Sequence, residues 1–127
     1  MKSAIVGALS LLAVSVSAAS AGEIVRAKFN DDGTVNAPEG WRHWVFVGSP
    51  VTPNALNGGS APFPEFHNVY VEPSAFKHYQ KTGKWAEGTQ IAKELTLVKT
   101  GENCNEDGSC NEVSGVGYFN SEFSGLE

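Results

Sequence analysis

The chain has 127 residues and a formal net charge of −5, and 41% of its residues are hydrophobic, 10% aromatic and 18% charged. This length fits a single domain, and the composition excludes a collagen-like, fully disordered or polytopic membrane protein. The acidic balance offers no positive surface to a phosphate backbone, so nucleic-acid binding is not expected.

Residues 1–21 are predicted to be a signal peptide and not part of the fold. They begin with a positive charge at Lys2, continue with an apolar run and end with a small-x-small pattern at residues 19–21, as signal peptidase sites do. The apolar run is shorter than the roughly 20 residues of a membrane-spanning helix; an uncleaved anchor is the alternative. We therefore expect a periplasmic or secreted domain over residues 22–127, with no membrane attachment after cleavage.

The mature part is divided by turn residues into short segments rich in aromatic and β-branched side chains, which are typical of strands. Strands are predicted over residues 43–48, 66–71 and 90–99, with a weaker candidate over 117–123. The two tryptophans at positions 41 and 44 are predicted to be core anchors. The asparagine-rich turn over residues 51–59 is predicted to be a structured loop.

One helix is predicted between the second and third strands. Pro73 suits a first helical turn because its missing N–H needs no partner there, and Gly83 is placed to end the helix. Ala75, Phe76 and Tyr79 form an apolar stripe at helical spacing. The predicted fold is therefore α+β, mostly β: an antiparallel sheet with one or two packed helices.

Lys93 breaks the pattern of the strand predicted over residues 90–99. Side chains alternate between the two faces of a strand, and Ile91, Leu95 and Leu97 make the face that carries Lys93 the better core face. Burying an unpaired ammonium is costly, which leaves two interpretations. Either the amine reaches water at an open end of the strand, or it is a desolvated amine that acts as a base, nucleophile or cross-linking group.

Cys104 and Cys110 lie in a polar, turn-forming segment. In an exported protein this spacing predicts a disulfide that closes a small loop. A metal or haem-attachment pair is disfavoured because five residues separate the cysteines and no histidine follows Cys110. His43, His67 and His78 have no ligand spacing and no acidic cluster beside them, so no metal site is predicted from them.

The sequence resembles the N-terminal part of the cytochrome P-460 family over about residues 29–127. The most distinctive matching segments follow one another in order: Val51-Thr52-Pro53-Asn54, Ala61-Pro62-Phe63, Val69-Tyr70-Val71 with Pro73, Lys81-Thr82-Gly83, and Gly88-Thr89 leading to Lys93-Glu94-Leu95.

This resemblance implies an exported, homodimeric c-type cytochrome with one haem c and a mainly antiparallel β fold. In the best-known branch the protein oxidises hydroxylamine, nitric oxide chemistry also occurs at the iron, and electrons pass to a periplasmic acceptor. A lysine of that branch bonds to the haem ring, and the matching residue here is Lys93.

The sequence departs from the family pattern in one respect. Family members attach haem through a C-x-x-C-H motif near their C-terminus, and residues 1–127 contain no such motif. We therefore expect this chain to be an incomplete domain that lacks the haem-attachment region and is inactive alone. The alternatives are a gas-binding relative of the cytochrome c-prime-beta type, without the cross-link, and a haem-free β domain.

Overall fold

The computed structural model describes residues 26–127, so the predicted signal peptide lies outside the described part. In chain order the elements are β1 (Lys28–Phe29), β2 (Val35–Asn36), β3 (Val45–Gly48), β4 (Phe66–Val71), α1 (Pro73–Thr82), β5 (Ile91–Val98), β6 (Cys110–Glu112), β7 (Gly115–Gly117) and β8 (Asn120–Leu126). Short 3-10 helices cover Trp41–His43 and Asn54–Asn57. The fold is α+β and mostly β, as predicted.

The main sheet has four antiparallel strands in the order β3-β4-β5-β8. Its centre is the β4–β5 pair, in which Val71 faces Ile91 at one end and Phe66 faces Thr96 at the other. Two small hairpins, β1–β2 and β6–β7, lie outside this sheet. The central strands therefore have neighbours on both sides, and this fixes the direction of every side chain along β5.

Helix α1 begins and ends where its sequence predicts. Pro73 is its first residue, and Gly83 takes the left-handed conformation at its C-terminal end with φ of 69°. The Gly83 amide donates to the Tyr79 carbonyl at 2.8 Å, which closes the last turn. Ala75 is the fully buried member of the predicted apolar stripe, whereas Tyr79 is exposed.

Strand β8 pairs with β5 through two register shifts. Asn120, Phe123 and Leu126 stand opposite Val98, Thr96 and Glu94, respectively. On β8 these residues are three apart, whereas their partners on β5 are two apart, so one extra residue bulges out in each interval. The bulges place all three side chains on the same face of the sheet.

The core lies on one face of the main sheet. Trp41, Trp44 and Ala92 are its buried members, and Tyr70 and Leu126 pack against them. The prediction that both tryptophans anchor the core is therefore confirmed. The 3-10 turn of Trp41–His43 precedes β3 and covers the sheet, whereas the sequence predicted a strand from residue 43.

The predicted core face of β5 is wrong. Ile91 and Leu97 are 51% and 42% exposed, although Leu95 is buried. The opposite face, with Ala92, Glu94 and Thr96, is the buried one, because Trp41 and Trp44 pack against that side. Lys93 consequently belongs to the more open face.

The loop around the cysteines is closed by the predicted disulfide between Cys104 and Cys110. Cys110 has no exposed surface. Inside the loop, Asp107 accepts hydrogen bonds from the hydroxyl and the amide of Ser109, at 2.6 and 2.9 Å. Both bonds favour the carboxylate and hold the pKa of Asp107 below its ordinary value.

Within residues 26–127, no helix has both the length and the apolar character needed to cross a membrane.

Candidate functional site

Lys93 lies inside the main sheet and not at a frayed end. It faces Val69 of β4 on one side. On the other side its amide and carbonyl exchange hydrogen bonds with Glu127, both at 2.9 Å. The backbone of Lys93 is thus held on both sides, and its side chain must project from the more open face of β5.

The amine of Lys93 has two partners on that face. Its Nζ forms an ion pair with the Glu127 carboxylate and lies 5.5 Å from the centroid of the Phe63 ring, within the range of a cation–π contact. The side chain is 31% exposed. The amine therefore reaches water and is paired, as in the first interpretation, but it does so from within the sheet and not from an open end of the strand.

The surroundings of Lys93 are largely apolar. Adjacent positions on the same face carry His67, Leu95 and Leu97, and Phe63 packs edge-on against His67 with ring centroids 6.3 Å apart. We call this surface the lysine face, defined as Phe63, His67, Ile91, Lys93, Leu95 and Leu97. Leu95 is buried, whereas Phe63, Ile91 and Leu97 leave apolar area exposed around two polar side chains. Apolar area with a few polar groups is the kind of wall that binds a flat apolar ligand.

The lysine face fits part of what a c-type haem requires. It offers apolar contacts, one amine, and one imidazole, His67. It offers no thioether attachment, because Cys104 and Cys110 are bonded to each other and no cysteine of the described residues is free.

The three histidines are not brought together. His67 lies on the lysine face, His43 in the 3-10 turn before β3, and His78 on α1. Within residues 26–127, no three His, Cys, Asp or Glu side chains are grouped so that they could hold a metal ion.

A polar network that the sequence analysis missed lies behind Lys93, on the buried face of the sheet. Arg42 donates to Oε1 of Glu94 from Nε at 3.0 Å and from a terminal nitrogen at 2.6 Å. The Arg42 guanidinium also stacks on the Trp41 ring at 4.5 Å. These contacts fasten the turn of Trp41–His43 to the strand that carries Lys93.

The carboxylate of Glu94 also affects its neighbours. Asn68 contacts its second oxygen at 3.4 Å and is itself held by the Ser49 hydroxyl at 2.6 Å. Burial, followed by the negative charge of Glu94, raises the pKa of Tyr70 above its ordinary value, while Arg42 opposes the shift. One signal for this network was present in the sequence. Glu94 directly follows Lys93 on a strand, so the two charged side chains must lie on opposite faces of the sheet.

A second concave region lies at the far end of β5, around the disulfide loop. Its volume is about 830 Å³, and its wall carries Glu65, Glu106, Asp107 and Glu122 with one cation, Lys99. Lys99 is paired with Glu112. The asparagine-rich loop closes one side, where Asn54 accepts from the Ala61 amide at 2.8 Å, so this loop is structured as predicted.

Comparison with known proteins identifies one family. The family model described as Cytochrome P460 matches residues 38–121, a span that includes the turn of Trp41–His43, the strands β3 to β7, Lys93 and both cysteines. No curated protein was found with significant similarity to the chain.

Proposed function

Because the chain belongs to the cytochrome P460 family, whose intact members are haem c proteins, we propose that it forms part of an exported cytochrome that oxidises hydroxylamine and handles nitric oxide. In this proposal Lys93 bonds to the haem ring. The proposal includes a periplasmic location, a homodimer and a periplasmic electron acceptor, as the resemblance implies.

The observation that most supports this function is the position of Lys93 on the lysine face. Lys93 lies opposite Val69 of β4, and its amide and carbonyl bond to Glu127, the residue after β8, so the amine is presented from a rigid element and not from a loop. Rigid support is what a site needs when one atom must meet a defined position on a ligand.

The residues of the lysine face have separate roles in the proposed site. Phe63, Ile91 and Leu97, which are exposed, would pack against the ring and exclude water from it. When bound, the haem supplies the iron that accepts electrons from hydroxylamine. Lys93 would supply the nitrogen of the cross-link. Because that C–N bond replaces one N–H bond of the amine and one C–H bond of the ring, its formation releases two protons and two electrons and needs a two-electron oxidant such as a peroxide.

Glu127 has a role in preparing Lys93. An ammonium has no free electron pair, so Nζ must lose a proton before it can form a further bond. The Glu127 carboxylate is the ion-pair partner of Nζ, so it holds the amine in place before that step. We assign Glu127 as a positioning residue.

One observation favours the second candidate function, a member without the cross-link. The amine of Lys93 is already paired with Glu127, so this lysine is satisfied without any covalent bond. A gas-binding protein of the cytochrome c-prime-beta type, or a haem-free domain, would leave this ion pair intact.

A substitution of Lys93 separates these functions. The complete gene is expressed with the c-type cytochrome maturation machinery, and covalent haem is detected by mass spectrometry. In the proposed protein the lysine cross-link shifts the Soret band of the haem to the red. We expect Lys93→Ala to retain thioether-bound haem, to lose this red shift and to lose most hydroxylamine oxidation. Peptide mapping should find haem mass on the Lys93 peptide of the wild type only.

Lys99→Ala is the matched control, since Lys99 follows the same strand and also forms an ion pair, with Glu112. Its spectrum should equal that of the wild type. An unchanged Soret band in Lys93→Ala rejects the cross-link and favours the gas-binding protein. Absence of covalent haem from the wild type rejects both cytochrome functions.

A further inference from the structure

The basic side chains of the described chain are distributed unevenly. Arg26, Arg42, Lys93 and Lys99 each form an ion pair with a carboxylate. By contrast, Lys77, Lys81 and Lys84 form no ion pair with any of residues 26–127, and residues 73–86 contain no acidic residue. In a protein of net charge −5, this is a local concentration of unpaired positive charge.

The same segment exposes two aromatic rings. Tyr79 and Trp85 stack on each other with centroids 4.3 Å apart and an interplanar angle of 19°, and they are 40% and 44% exposed. Aromatic residues are enriched at protein interfaces because they bury a large area at a low entropic cost. We call this surface the helix patch, defined as Lys77, His78, Tyr79, Lys81, Lys84 and Trp85.

The helix patch is held in shape by its own backbone. The Gly83 amide donates to the Tyr79 carbonyl at 2.8 Å. The Thr82 hydroxyl donates to the His78 carbonyl at 2.9 Å and accepts from the Lys84 amide at 3.2 Å. These bonds turn the chain back so that Trp85 covers Tyr79. A preformed surface loses little freedom when a partner binds.

Helix α1, which carries the helix patch, starts at the end of the sheet that is nearer to Lys93. Helix α1 starts just after Val71, which faces Ile91, and Lys93 is two residues further along β5. Two residues of strand span about 7 Å. The acidic cavity with Glu106 and Asp107 lies at the opposite end of β5. Leu97 belongs to the lysine face and also lines this cavity. Unpaired positive charge therefore lies at the helix end of the sheet and negative charge at the other end, with the lysine face between them.

We infer that the helix patch is the docking surface for an acidic redox protein, which receives the electrons of the proposed haem site. The identity of the partner as an electron acceptor rests on the proposed function; the docking itself rests on charge and shape. The three lysines attract a carboxylate-rich surface, and the stack of Tyr79 on Trp85 supplies the apolar centre. The negative end turns an acidic partner away from other approaches.

The test uses two forms of one probe, mitochondrial cytochrome c with its lysines succinylated, which is acidic, and the same protein unmodified, which is basic. Binding to the full-length protein is measured by surface plasmon resonance at several salt concentrations. We expect the acidic probe to bind and the basic one not to bind. The triple variant Lys77→Gln/Lys81→Gln/Lys84→Gln should weaken binding at least about tenfold and flatten its salt dependence.

Two further comparisons test whether the acidic probe binds at the helix patch. Lys28→Gln changes the net charge as Lys81→Gln does, but it lies on β1; it should leave the affinity unchanged, whereas Lys81→Gln should lower it. Trp85→Ala should weaken binding at high salt as well as at low salt. Circular dichroism of each variant confirms that α1 is retained.

Three results would overturn the inference. One is equal binding of the two probes, and another is an equal effect of Lys28→Gln and Lys81→Gln. The third is that the protein binds vesicles of anionic phospholipid but not the acidic probe, and that the triple variant abolishes the vesicle binding. The helix patch would then be a membrane-contact surface. Binding to the helix patch does not require haem. If the protein lacks haem but still binds the acidic probe, the proposed function is rejected and the docking surface is supported.

Discussion

Glu94 and Lys93 are neighbours in the chain, and the strand sends their charges to opposite faces. Glu94 is buried and held by Arg42, whereas the Lys93 amine is paired with Glu127 on the more open face. A buried carboxylate is tolerated only when it is well paired and hydrogen-bonded. The pairing of Glu94 with Arg42 therefore supports the strand on which the candidate site depends.

The pKa of Tyr70 reports on this pairing. Since it is raised first by burial and then by the Glu94 charge, Glu94→Gln should move it down towards the ordinary value. Absorbance of the phenolate during an alkaline titration measures the change, and Tyr70→Phe assigns the signal. An unchanged titration in Glu94→Gln would mean that burial alone sets the shift.

The same shift predicts a fall in stability at alkaline pH. The folded-state pKa of Tyr70 is above its unfolded value, so the folded protein holds this proton more tightly. The resulting stabilisation is complete below about pH 10 and is lost as the pH rises through the folded-state pKa. Urea unfolding of the wild type and Tyr70→Phe across this range checks the sign, since only the wild type should show the loss due to Tyr70.

Among the elements, α1 and β4 were predictable, whereas β8 was only a weak candidate: residues 117–123 were predicted and Asn120–Leu126 is observed. Pro73 and Gly83 mark the ends of α1 in the sequence itself, and aromatic and β-branched residues predominate in β4. On β8 the residues that share one face, Asn120, Phe123 and Leu126, are three apart because of two bulges, a spacing that resembles neither a regular strand nor a helix. No local signal in the sequence specifies where a bulge will fall.

The face of β5 was misjudged for a related reason. Hydrophobicity favoured Ile91, Leu95 and Leu97, but the covering element is the turn with Trp41 and Trp44, and it brings Arg42 with it. A cation delivered by a distant segment allows Glu94 to be buried, and periodicity within one strand cannot reveal that partner. For the same reason the sequence singled out Lys93 but missed Arg42 and Glu127 as parts of its support.

The disulfide that closes the loop between Cys104 and Cys110 should make a measurable contribution to the stability of the fold. Cys104→Ser/Cys110→Ser should lower the free energy of unfolding by about 2 kcal/mol, since the unfolded chain regains the freedom that a small closed loop removes. Urea unfolding monitored by tryptophan fluorescence measures this value. Val113→Ser is the control, because Val113 is fully exposed beside the same loop; a loss as large as that of the double variant would contradict the expectation.

In the molecule as a whole, one ion pair joins the start of the described chain to its middle. Arg26, which is half exposed, donates to the Glu72 carboxylate at 2.7 Å and to the Gly88 carbonyl at 3.2 Å. Glu72 precedes α1, is 2% exposed and also accepts from the Ser74 hydroxyl at 3.2 Å. Arg26 thus ties the N-terminal segment to the beginning of α1 and to the turn before β5.

Loss of this pair should destabilise the whole fold. Arg26→Leu leaves the buried Glu72 charge without its cation and should cost about 2 kcal/mol in the free energy of unfolding. Adding Glu72→Gln should recover part of the loss, because no charge then stays buried. Lys28→Leu is the matched control, as Lys28 has no carboxylate partner among residues 26–127; an equal loss there would show that the pair itself contributes nothing.

The short sequence distance between the two cysteines also affects the order of events during export. They are six residues apart, and segments of this length bring their ends together within about 100 ns. The pairing of β4 with β5 and of β5 with β8 requires slower encounters between distant segments. Loop closure therefore does not limit this disulfide; its rate is set by the oxidant of the compartment, which acts over seconds or longer. Because the two thiols meet without the sheet, they can be oxidised to a disulfide in a chain that has not yet folded. Any haem-attachment cysteines of an intact family member would then have no competing thiol in this loop, so local oxidation would separate the structural sulfur atoms from those that bind a cofactor.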